Sequence, residues 1–208
     1  MATKRGVPQE NRMTRDEAVS ILHEWTKTEA LRRHARMVEI AMRAAARAHG
    51  GDEERFALAG LLHDADYEAW PDEHPFRIVA LLRERGDEDL AYAISAHSPR
   101  WGFAARSPMD RCLFACDEIT GFIHACALVR PDRLRGLEPK SVRKKPKSPA
   151  FAAKVDRGEI QASAELLGVD LDAHIAMIVA ALLPHEEELG LAPATASQSD
   201  SATEPPAP

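Results

Sequence analysis

The stretch GLLHDADYEAW, residues 60–70, places polar side chains directly after an apolar run. The run, residues 56–62, has the character of a buried helix, yet it continues into His63, Asp64 and Asp66. Burying a charged group costs several kcal/mol unless the charge is paired or coordinated. The stretch therefore predicts either a solvated helix end or a site in which these side chains surround a cation.

Further polar side chains fall on the inner edges of other predicted segments, three on apolar helix faces or ends and one in the loop PDEHP. They are His34, His74, His97 and Asp117. Taken singly, each is more simply explained as a hydrogen-bonded core or loop residue. Taken together with His63 and Asp64, they favour one shared cation site, because bound cations remove the desolvation cost of the whole set.

The ligand types in this set indicate which metals to expect and one reaction that those metals could support. Imidazole and carboxylate together suit Mn, Fe, Ni, Co or Zn and disfavour Ca. No thiol belongs to the set, so a zinc–thiolate site is not expected. Two such ions about 3.5–4 Å apart can bridge a hydroxide and polarise a phosphoryl oxygen. A phosphate ester could then be hydrolysed by metal-bound hydroxide without a Ser or Cys nucleophile.

Asp66 lies two residues beyond the His63-Asp64 pair, where a helix end could turn its carboxylate toward the ions. It is the leading candidate for a catalytic general acid or base, or for a residue that orients a metal ligand. A cap or turn role for Asp66 is equally open.

A basic connector, residues 130–147, has the sequence RPDRLRGLEPKSVRKKPK. It contains eight Lys or Arg residues and only two acidic residues, Asp132 and Glu138. One interpretation is a solvated loop. The other is a rim that binds substrate phosphate, because the connector directly follows the predicted helix of Asp117. The residues whose spacing aligns them on a helix are Lys140, Arg143, Lys144 and Lys147. The lack of interleaved aromatic residues argues against nucleic acid as the partner.

The elements that must position these residues are helical. The chain of 208 residues is 45% hydrophobic and 5% aromatic, and its Ala, Leu, Glu and Arg content favours helix. No segment alternates with period two, so the predicted fold class is all-α. Pro184 should kink or shorten the last helix. The predicted helices cover residues 14–25, 28–48, 52–63, 75–85, 87–97, 108–129, 148–155, 159–167 and 170–188.

The composition also restricts compartment and partners. A net charge of −6 argues against a surface that coats nucleic acid. No apolar run approaches the roughly 20 residues that span a bilayer, and the first residues lack a secretory apolar region. Cys112, Cys116 and Cys126 are odd in number and lack zinc-ribbon spacing, which predicts reduced thiols in a cytoplasmic protein. A homodimer is compatible with the sequence.

The order His34, then the adjacent pair His63-Asp64, then Asp117 resembles the HD superfamily of metal-dependent phosphohydrolases over residues 28–125. Dinuclear branches of that superfamily place two further histidines between the pair and the last Asp. In such proteins the Asp of the pair bridges two metals, which would make Asp64 catalytic. The metal ligands implied by the resemblance are His34, His63, Asp64, His74, His97 and Asp117.

The resemblance also suggests a domain organisation. The segments LLHDADYEAWPDEHP and TGFIHACALVRP resemble an uncharacterised bacterial HD subfamily, to about residue 190. We therefore expect an HD-domain-like helical bundle with additional C-terminal helices, forming one domain. The expected parts are a disordered arm at 1–12, the domain at 13–190 and a disordered tail at 191–208. Within the domain we expect the HD core at about 28–129, the connector at 130–147 and the C-terminal helices at 148–190.

The resemblance implies a metal-dependent phosphohydrolase that acts on a small phosphomonoester or nucleotide, with one or, more in keeping with the six ligands, two divalent ions. Two alternatives stay open. The same ligand order occurs in mixed-valent di-iron oxygenases of the superfamily, and ligands alone do not separate oxygen chemistry from hydrolysis. A non-catalytic, metal-containing ligand-binding module is the second alternative.

Overall fold

The computed structural model describes residues 12–144 and 155–193. Within these ranges the regular structure consists of helices alone, which confirms the predicted all-α class. Two short 3₁₀ segments, Pro99–Trp101 and Leu183–His185, supplement them. The α-helices are α1 Arg15–Trp25, α2 Glu29–His49, α3 Glu53–Leu62, α4 Phe76–Glu84, α5 Glu88–Ser95, α6 Pro108–Leu128, α7 Pro139–Lys144, α8 Arg157–Leu167 and α9 Leu171–Leu182.

Several helices begin where side chains satisfy the first free backbone N–H groups. Thr14 and Glu17 form the predicted capping box of α1. Asp52 accepts hydrogen bonds from two backbone N–H groups at the start of α3. Ser107 and Asp110 form a second capping box at α6. Such caps typically stabilise a helix by about 1 kcal/mol, so these helix starts are set by local sequence.

Helix α2 lies at the centre of the bundle and packs against α3, α6 and α9. A Cβ added to Gly60 of α3 would lie 2.7 Å from the Val38 carbonyl oxygen of α2, so only glycine permits this close approach. Gly60 lies one turn before His63 and brings that end of α3 against α2. On the other side, a Cβ at Gly121 of α6 would lie 3.7 Å from the His34 ring.

A buried carboxylate joins the first two helices. Glu39 on α2 is fully buried. Arg15 of α1 contacts it at 2.6 Å, and Arg36 and Arg43 of α2 at 3.0 and 3.6 Å. The three guanidinium groups supply the compensation that a buried carboxylate requires.

The C-terminal region differs from the sequence expectation at its boundaries. Helix α9 ends at Leu182, because Pro184 lacks the N–H that would continue it, and a 3₁₀ turn follows. Leu191, assigned to the tail from sequence, is fully buried, so the packed region extends at least to this residue. Val155 is not helical; the rest of the helix predicted at 148–155, the arm to residue 11 and the tail from 194 lie outside the described residues.

No single helix in the described part of the chain is long and apolar enough to cross a membrane. Only the pair Arg157–Leu167 and Leu171–His185, bent by 97°, passes that test jointly by length and composition.

Candidate metal centre

The six side chains implied as ligands by the sequence converge on one site, and they come from five separate elements. Contributions come from the second turn of α2, the end of α3, the loop before α4, the end of α5 and the middle of α6. The converging residues are His34, His63, Asp64, His74, His97 and Asp117.

The first triad consists of His34, His63 and Asp117. Asp117 Oδ1 lies 2.9 Å from His34 Nε2 and 3.2 Å from His63 Nε2. One ligand atom from each of the three residues lies within 4.8 Å of the others, a spacing that could hold one metal ion.

The second triad consists of Asp64, His74 and His97. Asp64 Oδ1 lies 3.3 Å from His74 Nε2 and 3.8 Å from His97 Nε2. The other oxygen of the same carboxylate, Oδ2, lies 3.4 Å from His63 Nε2 and 3.9 Å from His34 Nε2. Asp64 therefore presents one oxygen to each triad.

Hydrogen bonds at Nδ1, the ring nitrogen that points away from the cluster, fix the orientation of three imidazole rings. His63 Nδ1 lies 2.8 Å from the Gly60 carbonyl oxygen, and His97 Nδ1 lies 2.6 Å from the Ile94 carbonyl oxygen. A carbonyl only accepts a hydrogen bond, so each Nδ1 must carry the proton. His74 Nδ1 lies 2.6 Å from Asp66 Oδ1, which assigns the same tautomer. Each Nε2 can then direct its lone pair at the cluster.

Asp66 is fully buried, and both of its oxygens are engaged. Oδ1 faces His74, while Oδ2 accepts hydrogen bonds of 3.0 Å from the backbone N–H groups of Arg77 and Ile78 in the first turn of α4. Of the roles that the sequence left open, these contacts favour orientation of a ligand over proton transfer to a substrate.

The donor set fits a divalent cation. The Nε2 atoms of His63 and His74 are buried and have no hydrogen-bond partner. Each lies within 3.4 Å of a carboxylate oxygen. In the neutral tautomer assigned above, this arrangement points acceptor at acceptor and is repulsive. A cation between the two atoms, or a proton on the ring, removes that repulsion.

A family model described as the HD domain matches residues 31–121. This segment is an HD domain. The comparisons found no match among curated proteins and none among solved structures. The matched segment contains all six converging side chains, and the expected assignment to the HD superfamily is confirmed for these residues. The likeness to one bacterial subfamily stays a prediction.

The side chains of the cluster shift one another's pKa values in different directions. Burial would lower the pKa of His63, but the Asp64 and Asp117 carboxylates outweigh it and raise that pKa well above 6.5. Burial would raise the pKa values of both carboxylates, yet the charge on His63 holds them below their usual range. Burial and repulsion by His63 lower the pKa of His97 to about 4. A proton on His63 thus balances part of the carboxylate charge, and a metal would replace it.

Aromatic side chains cover the second triad. The Trp101 ring centroid lies 4.5 Å from that of His97 and 5.1 Å from that of His74. Tyr67, which is 43% exposed, packs edge-on against His74, with 5.3 Å between the ring centroids. The Arg100 guanidinium lies 4.3 Å above the Trp101 ring. Sequence reasoning did not single out Trp101, because its approach depends on the 3₁₀ turn after α5.

Acidic side chains lie near the first triad. Burial raises the pKa of Glu118 to about 7, with further contributions from Asp117 and Glu159. Burial also raises the pKa of Glu159, against the effect of a hydrogen bond to Ser98. The position of Glu118 directly after Asp117 was a usable sequence signal. Glu159 comes from α8, and nothing in its local sequence indicates that it approaches the HD domain.

Two arginines of the connector make contacts within the protein. Arg130 donates to the carbonyl groups of Arg133, Arg135 and Gly136, and Arg135 pairs with Glu186. These contacts account for some of the basic excess without any ligand.

The connector residues expected to bind substrate lie on or beyond α7. Arg143 contacts Asp172 on α9 at 3.1 Å. Lys140 and Lys144 are exposed, and Lys147 lies outside the described residues. Among the described residues, no hydrogen bond or ion pair joins these side chains to the ligand cluster, and their role in substrate binding stays a prediction.

Proposed function

We propose that this protein is a metal-dependent phosphohydrolase that acts on a small phosphorylated substrate. His34, His63 and Asp117 would hold one divalent ion, His74 and His97 the other, and Asp64 both. The HD domain assignment supports the reaction class, because HD domains bind divalent metals and are generally hydrolases. The ligand chemistry favours Mn, Fe, Ni, Co or Zn.

The observation that carries the proposal is the position of the Asp64 carboxylate. Its two oxygens face two separate groups of imidazole Nε2 atoms, at 3.3–3.8 Å on one side and 3.4–3.9 Å on the other. A single structural ion would need only one of these groups. Two ions that share a carboxylate form an arrangement that supports in-line displacement at phosphorus.

When bound, the ions would supply an activated water and Lewis acidity toward a phosphoryl oxygen. The chain contributes orientation. Gly60 and Ile94 fix two imidazole rings through their carbonyl groups, and Asp66 fixes the ring of His74. Because two backbone N–H groups hold Asp66 in turn, its carboxylate is a fixed acceptor for His74 Nδ1, and rotation of the ring would break that hydrogen bond.

The test is hydrolysis of a panel of phosphomonoesters and nucleotides by protein loaded with Mn, Co or Ni. Turnover that depends on metal, and that disappears when Asp64 is replaced, supports the proposal. A metal-loaded preparation that is inert toward the whole panel contradicts it.

One observation favours a di-iron oxygenase as a second candidate. Glu118 and Glu159 place acidic groups beside the first triad, where they would oppose a dianionic phosphate ester. Iron as the metal of the purified protein, together with oxygen consumption by a reduced sample, would select the oxygenase. Zinc or manganese with no oxygen consumption would select the hydrolase.

A further inference from the structure

A second polar group lies beside His34 of the first triad, and its side chains come from α2, α6 and the connector. We call it the basic pocket and define it by Arg33, His124 and Arg133. Arg33 directly precedes the ligand His34 on α2. Its guanidinium carbon lies 3.9 Å from the position of a Cβ on Gly190, which places it under the C-terminal segment.

His124 brings the pocket onto the same helix face as the metal ligand Asp117. It lies seven residues, about two helical turns, after Asp117 on α6. Gly121, between them, faces the His34 ring at 3.7 Å. The Nε2 atom of His124 is buried and has no hydrogen-bond partner. A buried polar atom without a partner is uncommon and calls for a ligand or water.

Arg133 completes the pocket from the connector. Its backbone is left-handed, with φ of 52°, a conformation that costs free energy in a residue other than glycine. Arg130 holds this conformation by donating to the Arg133 carbonyl, and the Arg133 guanidinium donates to the Leu128 carbonyl at the end of α6. Leu128 lies one turn beyond His124, so the Arg133 guanidinium is held near that histidine.

The carboxylates of the C-terminal segment do not neutralise the pocket. Glu188 pairs with Arg36, and Glu186 pairs with Arg135. In the described chain, Arg33 has neither a hydrogen bond nor an ion pair. Burial and the positive charges of Arg33, His34 and Arg133 lower the pKa of His124, which indicates a local excess of positive charge.

We propose that Arg33, His124 and Arg133 bind a second, non-reacting phosphate group of the substrate. The distance along α6 between His124 and Asp117 is about 10 Å, which sets the separation between the two phosphates. The inference rests on the proposed phosphohydrolase function and narrows its substrate class to organic bisphosphates. Arginine suits this role because its guanidinium forms paired hydrogen bonds with phosphate oxygens.

Matched substrates test the proposal on the metal-loaded, full-length protein. Pentanediol bisphosphate and pentanediol monophosphate differ only in the second phosphate. We expect kcat/KM to be about tenfold higher for the bisphosphate, mainly through KM, since charged hydrogen bonds of this kind are worth at least that factor. In Arg33→Gln the ratio between the two substrates should fall to about one.

The matched control is Arg111→Gln. Arg111 is an exposed residue at the other end of α6, so this variant removes the same charge at about 20 Å from His124. The ratio between the two substrates should stay at its wild-type value. A wild-type ratio near one, or equal losses of the ratio in both variants, overturns the basic pocket as a phosphate site.

Calorimetry separates this inference from the proposed function. Heptane bisphosphonate and heptylphosphonate carry methylene groups in place of the ester oxygens and keep the span of pentanediol bisphosphate. They are not hydrolysed, so their binding to metal-loaded protein does not need turnover. If no phosphoester is hydrolysed but the bisphosphonate binds about tenfold more tightly, and Arg33→Gln abolishes that difference, the reaction proposed above fails and the anion site stands. Equal binding of the two phosphonates by the wild-type protein overturns the anion site.

Discussion

The first triad holds His34 and Asp117 near the opening of the site, with side chains 22% and 18% exposed, whereas His74 and His97 of the second triad are 2% and 1% exposed. The second triad is also covered by Trp101 and supported from behind by a carboxylate and a backbone carbonyl. In the first triad only His63 has such support, from Gly60.

The two triads also differ in protonation. The carboxylates raise the pKa of His63 in the first triad, whereas burial and repulsion by His63 lower the pKa of His97 in the second to about 4. At neutral pH an ion entering the first triad must displace a proton, and His97 has none on Nε2 to displace. If both triads bind ions as proposed, we expect the second triad to retain its ion more readily than the first.

The largest effect is expected for Asp64→Ala, because Asp64 is the one ligand that serves both triads. We expect hydrolysis to fall at least about 10³-fold, with metal content falling toward zero ions per chain. Helical content by circular dichroism should be unchanged, since Asp64 lies after α3 and caps no helix. Unchanged metal content would show that the site is misassigned.

Asp117→Ala separates the triads, because Asp117 belongs only to the first. We expect this variant to lose one ion per chain and keep the other, with activity reduced about as far as in Asp64→Ala if both ions are needed. Metal analysis after gel filtration measures the difference. Loss of both ions would mean that the triads do not bind independently.

The pH dependence of metal content should distinguish the triads further. The folded-state pKa of His63 is raised, so protons compete for the first triad from above pH 6.5 downward, and affinity there should fall about tenfold per pH unit. The pKa of His97 is lowered to about 4, so His97 itself should not lose its ion until the pH approaches 4. Metal stoichiometry between pH 8 and pH 5 should therefore decrease from two ions to one.

Calorimetric titration in two buffers of different ionisation enthalpy counts the protons. About one proton should be released at pH 7 as the first triad fills. Loss of both ions at the same pH, with no difference in proton release between them, would remove the distinction between the triads.

A smaller effect is expected for Asp66→Asn, which keeps the size of the side chain but weakens its hydrogen bond to His74. Metal affinity at the second triad should fall about 10–100-fold, while the first triad is unaffected. Asp72→Asn is the matched control, because Asp72 is exposed in the same loop. Equal effects of the two substitutions would argue that Asp66 acts through general charge rather than through His74.

The smallest effect concerns the connector. Lys140 and Lys144 are exposed, so Lys140→Gln combined with Lys144→Gln should lower kcat/KM for an anionic substrate only about twofold at low ionic strength. At high salt the difference should vanish. A loss of tenfold or more that persists in salt would instead show direct contact with the substrate.

Sequence reasoning singled out the six converging side chains from residue type and from their positions on predicted helices and in one loop. The resemblance to the HD superfamily then implied that they are metal ligands. Sequence reasoning also located the helices, whose starts depend on local caps such as Ser107. It could not decide the role of Asp66, since that depends on how the loop before α4 folds back. Nor could it place Trp101 or Glu159, whose approach to the site depends on tertiary packing.

For the basic residues, the sequence was a poor guide to which side chains lie near the site. Charge density directed attention to Lys140 and Arg143, yet Arg143 pairs with Asp172 and Lys140 is exposed. Arg33, which lies beside a metal ligand without an ion-pair partner in the described chain, has no distinctive sequence context. Composition therefore located a positively charged segment. Only the folded structure shows which basic side chain has no ion-pair partner.

The central claim is that Asp64 lies between two metal ions in this HD domain. Anomalous scattering from a crystal of metal-loaded protein, collected at the metal absorption edge, tests it most directly. We expect two peaks about 3.5–4 Å apart. One should lie among His34, His63 and Asp117, and the other between His74 and His97, with one Asp64 oxygen on each. A single peak away from Asp64, or no peak among these six residues, would contradict the account.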